Sequence, residues 1–186
     1  TIDPLWPRAG YTGYDVGNPL NDIDPSGLEP RGKCELSFFC IPLGLGAKSC
    51  MLCLTKQVRN KVIIIKCWPA GSGGHGDPIP KGCWCFNQSN WVNRLQLGRP
   101  SRAWGEGNCI MPLVPCPKDE ARMRRENPTR KFHPGSMCLH GGGEINNMES
   151  GGCITTESKM IMELKTLLKK HCLNTSGKCG ITIHVS

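Results

Sequence analysis

"SMCLHGGGEINNMESGGCI", Ser136 to Ile154, is the stretch on which the reading of this chain turns. "SMCLH", Ser136 to His140, is short enough for a strand that stops at the triple glycine opening at Gly141. A glycine run lets the backbone turn tightly and approach a ligand closely. A loop follows, then "SGGCI" from Ser150. A thiolate is a nucleophile, and a nearby imidazole can stabilise it by taking its proton. His140 stands thirteen residues before Cys153, and a loop of that length can fold back and bring the two together. Gly151 and Gly152 put no side chain in front of the sulfur. Their freedom lets the Gly152 and Cys153 amides point at one spot, where they could hold the oxyanion of an acyl-transfer intermediate. Read from the residues alone, Cys153 is either that nucleophile or one more structural cysteine.

Working outward, the chain reads as mainly β, mixed α+β, with one C-terminal helix supporting the active cysteine. Thr156 can cap that helix with Glu157 in its first turn. Ile161, Leu164, Leu167, Leu168 and His171 give it one buried stripe. "GITIHVS", Gly180 to Ser186, is a closing strand in which His184 lies opposite Ile181 and Ile183. Upstream, Ala47, Met51, Leu54 and Val58 recur at steps of four, three and four, which predicts a short amphipathic helix. "KVIIIKCW", Lys61 to Trp68, is β-branched and reads as a buried strand. "AGSGGHGDPIPKG", Ala70 to Gly82, is a loop, and its His75 is given no role. "NCIMPLVPC", Asn108 to Cys116, is a candidate strand interrupted by proline. "PKDEARMRRENPTRK", Pro117 to Lys131, is either a short surface helix or an exposed excursion.

The totals bound the function. The 186 residues carry a net charge of +8, which favours an anionic partner: nucleic acid, an anionic membrane face or cell-wall polymer. No aromatic-basic stripe of the single-strand-binding kind is present. No apolar run is long enough to span a bilayer. Gly (23) and Pro (15) are plentiful, so turns and short elements are expected. The 13 cysteines point to an oxidising compartment, and their odd number leaves a thiol over if six disulfides form. Each disulfide would contribute about 2–4 kcal/mol and would form only after export. Zinc is the rival use, with Cys50-x-x-Cys53 and Cys83-x-Cys85 as the candidate four-cysteine set, but the second spacing is tight for a zinc knuckle. No metal and no cofactor is expected.

Two resemblances sharpen this reading. "PLNDIDPSGL", Pro19 to Leu28, resembles the end of an Rhs-repeat shell, with Pro19, Asp24, Pro25, Gly27 and Leu28 at the motif's fixed positions. That resemblance implies cleavage after Leu28 with Asp24 taking part, so that residues 1–28 close the Rhs core and residues 29–186 form a toxin domain. It also implies a separate immunity protein. His140-Gly141 followed by Ser150-x-Gly152-Cys153-Ile154 is similar to the signature of the L,D-transpeptidase family over Leu113 to Ser186. This implies an L,D-transpeptidase-like β-sandwich or barrel, with residues 29–112 as a cysteine-rich scaffold and 113–186 as the catalytic region. It implies Cys153 as nucleophile, His140 as base, and Ser150, Gly151, Gly152 and Gly141 as support or oxyanion positions. Family members attack peptidoglycan peptide stems, giving crosslinking, D-amino-acid exchange or carboxypeptidase action. The combined expectation is a secreted antibacterial effector acting in the periplasm or cell wall of a target bacterium.

Two departures stand out. Gly151 occupies a position where many members carry His. Cys138 lies two residues before His140, so on a strand both face one side. Cys138 could then reach Cys153 and form an inactivating disulfide. Reductant would raise activity in that case, and equal activity with and without reductant would count against it. His133 is read as a surface side chain. The competing readings are a basic nuclease toxin, which lacks an acidic cluster around a His, and a non-catalytic wall-binding module, which would survive mutation of Cys153.

Overall fold

The longest strands are the two twelve-residue strands β1 (Lys33–Gly44) and β2 (Ala47–Val58), paired antiparallel. Along β1 the side chains of Cys34, Leu36 and Phe38 are buried and their neighbours are not, the two-residue period of a half-buried strand. On β2 the buried face includes Leu52, Leu54 and Lys56. The predicted helix over 47–58 is therefore a strand. The apolar spacing of Ala47, Met51, Leu54 and Val58 fits a helix, but Cys50 and Cys53 lie opposite Cys40 and Cys67 and are bridged to them, which requires the extended form.

The structure, a computed structural model, describes residues 32–44, 47–58, 61–74, 76–87, 92–93, 109–132, 136–142, 150–172 and 179–186. The motif residues Pro19, Asp24, Pro25, Gly27 and Leu28, together with His75 and His133, lie outside them. After β2 come β3 (Lys61–Pro69), β4 (Gly82–Phe86), β5 (Val92–Asn93), β6 (Cys109–Pro115), β7 (Met137–His140), β8 (Ile154–Thr155) and β9 (Ile181–Val185). The helices are α1 (Pro117–Glu126) and α2 (Ser158–His171).

Among the described residues the strands form one curled mixed sheet in the order β3-β2-β1-β9-β4-β6-β7-β8, with β5 paired to β6. β9 runs parallel to β1 and antiparallel to β4, so the C-terminal strand joins the two halves of the sheet. β6 crosses residues 112 and 113, so both sequence regions contribute to one sheet. β3 is the outer strand, not a buried one. Val62 and Ile64 are exposed, because nothing pairs with its far side among the described residues.

The core gathers Leu36, Leu52, Leu54, Trp84, Leu113 and Ile183 from the strands with Ile161, Leu164 and Leu168 from α2. Leu167 is half-buried beside it. Trp84 stacks on Phe132 at 6.0 Å and donates its indole N–H to the Pro80 carbonyl. Among the described residues there are two helices: the expected C-terminal one, and α1, which settles the 117–131 stretch as a short helix. Pro117 starts α1, Asp119 and Glu120 sit in its first turn, and Arg124 and Arg125 lie in its last. Asp119 accepts the Cys83 N–H at 2.8 Å, and this bond, with the Arg122 guanidinium, holds its carboxyl below the usual range. Thr156 does not cap α2. Glu157 is the cap residue, and the Thr156 hydroxyl donates to the Pro69 carbonyl at 2.9 Å.

Among the described residues five disulfides join Cys34–Cys172, Cys40–Cys50, Cys53–Cys67, Cys83–Cys116 and Cys85–Cys179. Cys50, Cys53, Cys83 and Cys85 thus go to four different bridges instead of one zinc site. This much cross-linking points to an extracellular or periplasmic place of action. No helix among the described residues is long and apolar enough to cross a membrane. Among the cysteines whose side chains are described, Cys138 and Cys153 stand outside these bridges.

Candidate active site

β7 and β8 are parallel neighbours, with Leu139 opposite Ile154 and His140 opposite Thr155. One step back along both strands stand Cys138 and Cys153. The sheet register therefore brings together the three residues the sequence singled out. Cys138 and His140 are both buried, and Cys153 is half-buried. Their closeness follows from a side-chain period of two on β7 and from the parallel pairing that starts at Leu139 and Ile154, the residues just after Cys138 and Cys153.

The Cys153 thiol is lowered from 9.0 to about 5. The largest cause is hydrogen bonding to the Cys138 side chain. Burial opposes it, and the hydrogen bond and charge of His140, then the Cys138 backbone amide, add to the lowering. His140 Nδ1 lies 2.5 Å from the Gly141 carbonyl oxygen. A carbonyl only accepts, so Nδ1 carries a proton, which makes Nε2 the candidate for proton exchange. Gly141 also sits tight against α2. A Cβ there would meet Ser158 Cα at 2.8 Å and Ile161 Cγ2 at 3.2 Å. The helix thus backs the carbonyl that orients the imidazole.

Ser150 ties the turn before the thiol. Its hydroxyl donates to the Cys153 carbonyl at 2.6 Å and accepts the Gly73 and Gly152 N–H groups, each at 3.4 Å. The Gly152 amide is thereby turned into the loop. The Cys153 amide meets no backbone carbonyl among the described residues.

The loop after β3 forms the other wall. Gly71 and Thr155 exchange both backbone hydrogen bonds at 2.9 Å, and the Ser150 N–H donates to the Gly73 carbonyl. Gly76 lies against Gly151. Nothing in the sequence reading gave this loop a part. Its glycine density was the available signal, since backbone can approach backbone this closely only without side chains. Arg130 also went unnoticed. It is only 12% exposed, and its Nη2 donates to the Asp77 carbonyl at 2.6 Å.

The two glycines before the thiol differ in kind. Gly152 has φ +113°, and a Cβ there would meet Arg130 Nη1 at 2.9 Å and the Asp77 carbonyl at 3.1 Å. Gly151 has open space around its Cβ position. Gly152→Ala should cost about 1–3 kcal/mol of strain and depress Cys153 reactivity. Gly151→Ala should stay within about 0.5 kcal/mol of wild type. Thermal melts with timed alkylation of Cys153 would check this, and equal effects of the two substitutions would refute it.

No protein-family model matches the chain, and no curated protein matches it. Among solved structures it is similar to Bd1075 of Bdellovibrio bacteriovorus, with a TM-score of 0.53 and 15% identity over 83% of this chain and 48% of that one. The chain therefore spans about half of that protein. A fused Zn-dependent amidase/peptidase/peptidoglycan-binding domain-containing protein of Clostridium acetobutylicum aligns with a TM-score of 0.40 and 10% identity, over 100% of this chain and 65% of that one. At these identities the likeness to the Bdellovibrio protein is one of fold.

Proposed function

We propose that this chain is a cysteine acyl-transfer enzyme of the L,D-transpeptidase type that acts on peptidoglycan peptide stems, delivered as the toxin domain of an Rhs-repeat protein. The observation that carries the chemistry is the lowered Cys153 thiol in contact with an imidazole whose other nitrogen is held by the Gly141 carbonyl. His140 Nε2 takes the thiol's proton to leave a thiolate that attacks the carbonyl carbon, and then delivers that same proton to the departing amine. The acyl group passes to Cys153 as a thioester, the D-amino acid leaves, and water or a second amine takes the acyl group from sulfur. The Cys153 amide supports the oxyanion of each tetrahedral intermediate. The disulfides fit a wall-side place of action, and net charge +8 suits an anionic polymer.

The substrate assignment rests on the sequence resemblance and is tested by digestion. Incubated with a disaccharide-tetrapeptide, with and without a free D-amino acid, the chain should remove or exchange the terminal D-alanine. Unchanged masses under both oxidising and reducing conditions would overturn the reading. The reducing arm also reports on Cys138, whose contact with Cys153 would allow these two unbridged cysteines to be joined by oxidation.

A further inference from the structure

We infer that Arg130 binds the free carboxylate of the D-amino acid next to the scissile bond, and so restricts the enzyme to stems and acceptors that end in a carboxylate. This deepens the stem-peptide reading and rests on it. The guanidinium is withdrawn from solvent, yet its charge is poorly met. Its contacts are the Asp77 backbone carbonyl at 2.6 Å, the Met137 sulfur at 3.9 Å, and one Asp77 carboxylate oxygen at 3.7 Å. Asp77 is itself 90% exposed and spends its charge largely in water. A sheltered cation with so weak a counter-charge favours an incoming anion.

Its position defines which anion. Nη1 occupies the space where a side chain on residue 152 would begin, one residue before the nucleophile. In an L,D-bond substrate the terminal carboxylate belongs to the residue whose nitrogen is expelled. That carboxylate therefore lies within about one residue length, roughly 3.5 Å, of the scissile amide. The guanidinium lies against Gly152, the residue that precedes the nucleophile, on the approach to the thiol. The planar guanidinium offers two parallel N–H donors to a carboxylate, a geometry an ammonium lacks. The left-handed conformation at Gly152 serves the same end, since any side chain there would displace the guanidinium. Free D-amino acids carry the same carboxylate, so they would be preferred as acceptors over simple amines.

The test uses the full oxidised chain. The Cys153→Ala form is titrated with disaccharide-tetrapeptide and with its C-terminal carboxamide, each with Arg130 intact, with R130Q and with R130K. The carboxylate form should bind about 10- to 100-fold more tightly than the carboxamide. R130Q should erase that preference and leave carboxamide binding unchanged, while R130K should retain part of it. In the active chain, R130Q should raise KM for the carboxylate form more than it lowers kcat. Equal binding of the two peptides, or a preference that survives R130Q, would overturn the role of Arg130 alone. Failure of both peptides to bind would overturn the stem-peptide reading and this inference with it. Unchanged carboxamide binding in R130Q certifies that the site is folded.

Discussion

Cys153→Ala should abolish stem trimming, with a fall on the order of 10⁴-fold or more, while the fold stays intact. The sulfur is half-buried and lies outside the five disulfides, so its loss removes a nucleophile and not a staple. The wild-type rate should show an acid limb near pH 5. Only the thiolate attacks, and the lowered value makes it available from about pH 5 upward instead of from about 9. The sign extends to stability. Between those values the folded chain holds a thiolate where the unfolded chain holds a thiol, so this group's stabilising contribution is full above pH 9 and is lost as pH falls through 5. Timed alkylation with a small haloacetamide gives the same limb without substrate. Cys138 is buried and should react slowly. A limb near 8 or 9 would show that Cys138 and His140 do not activate the sulfur, and undiminished trimming by Cys153→Ala would remove the enzyme reading altogether.

The site was more legible than the scaffold. Its elements announce themselves locally: a strand broken by glycine, a helix with one apolar stripe, and a closing strand in which Ile181 and Ile183 alternate with the exposed His184. What brings them together is a parallel register between two short strands, and no local pattern encodes register. The scaffold misled for a related reason. Residues 47–58 carry apolar side chains at helical spacing, but partners in β1 and β3 and two cross-strand disulfides decide their conformation. β3 is apolar enough to look buried and is held at the sheet margin by topology. Arg130 was hidden for a different reason. It lies in a highly charged run that reads as solvated surface, and its shelter comes from Asp77, Met137 and Gly152, which only the fold brings to it.

Removing the Cys34–Cys172 bridge should be the most damaging single change to stability. It closes 138 residues and ties the start of β1 to the end of α2. The Gly32 N–H donates to the His171 carbonyl alongside it. Chain-entropy arithmetic for that loop gives about 5 kcal/mol, and the other bridges already shorten the effective loop, so about 3–5 kcal/mol is expected for Cys34→Ala with Cys172→Ala. At this chain length that lowers Tm by about 10 °C. The Cys40–Cys50 bridge spans only 10 residues of one hairpin and should cost under about 3 kcal/mol. Activity should follow the long bridge more than the short one. α2 packs on Gly141, whose carbonyl holds His140, so loosening the helix end loosens the imidazole. The paired melts decide it: if losing Cys40–Cys50 lowers Tm as much as losing Cys34–Cys172, α2 is not anchored through its C-terminal bridge, and the link from that disulfide to the catalytic imidazole fails.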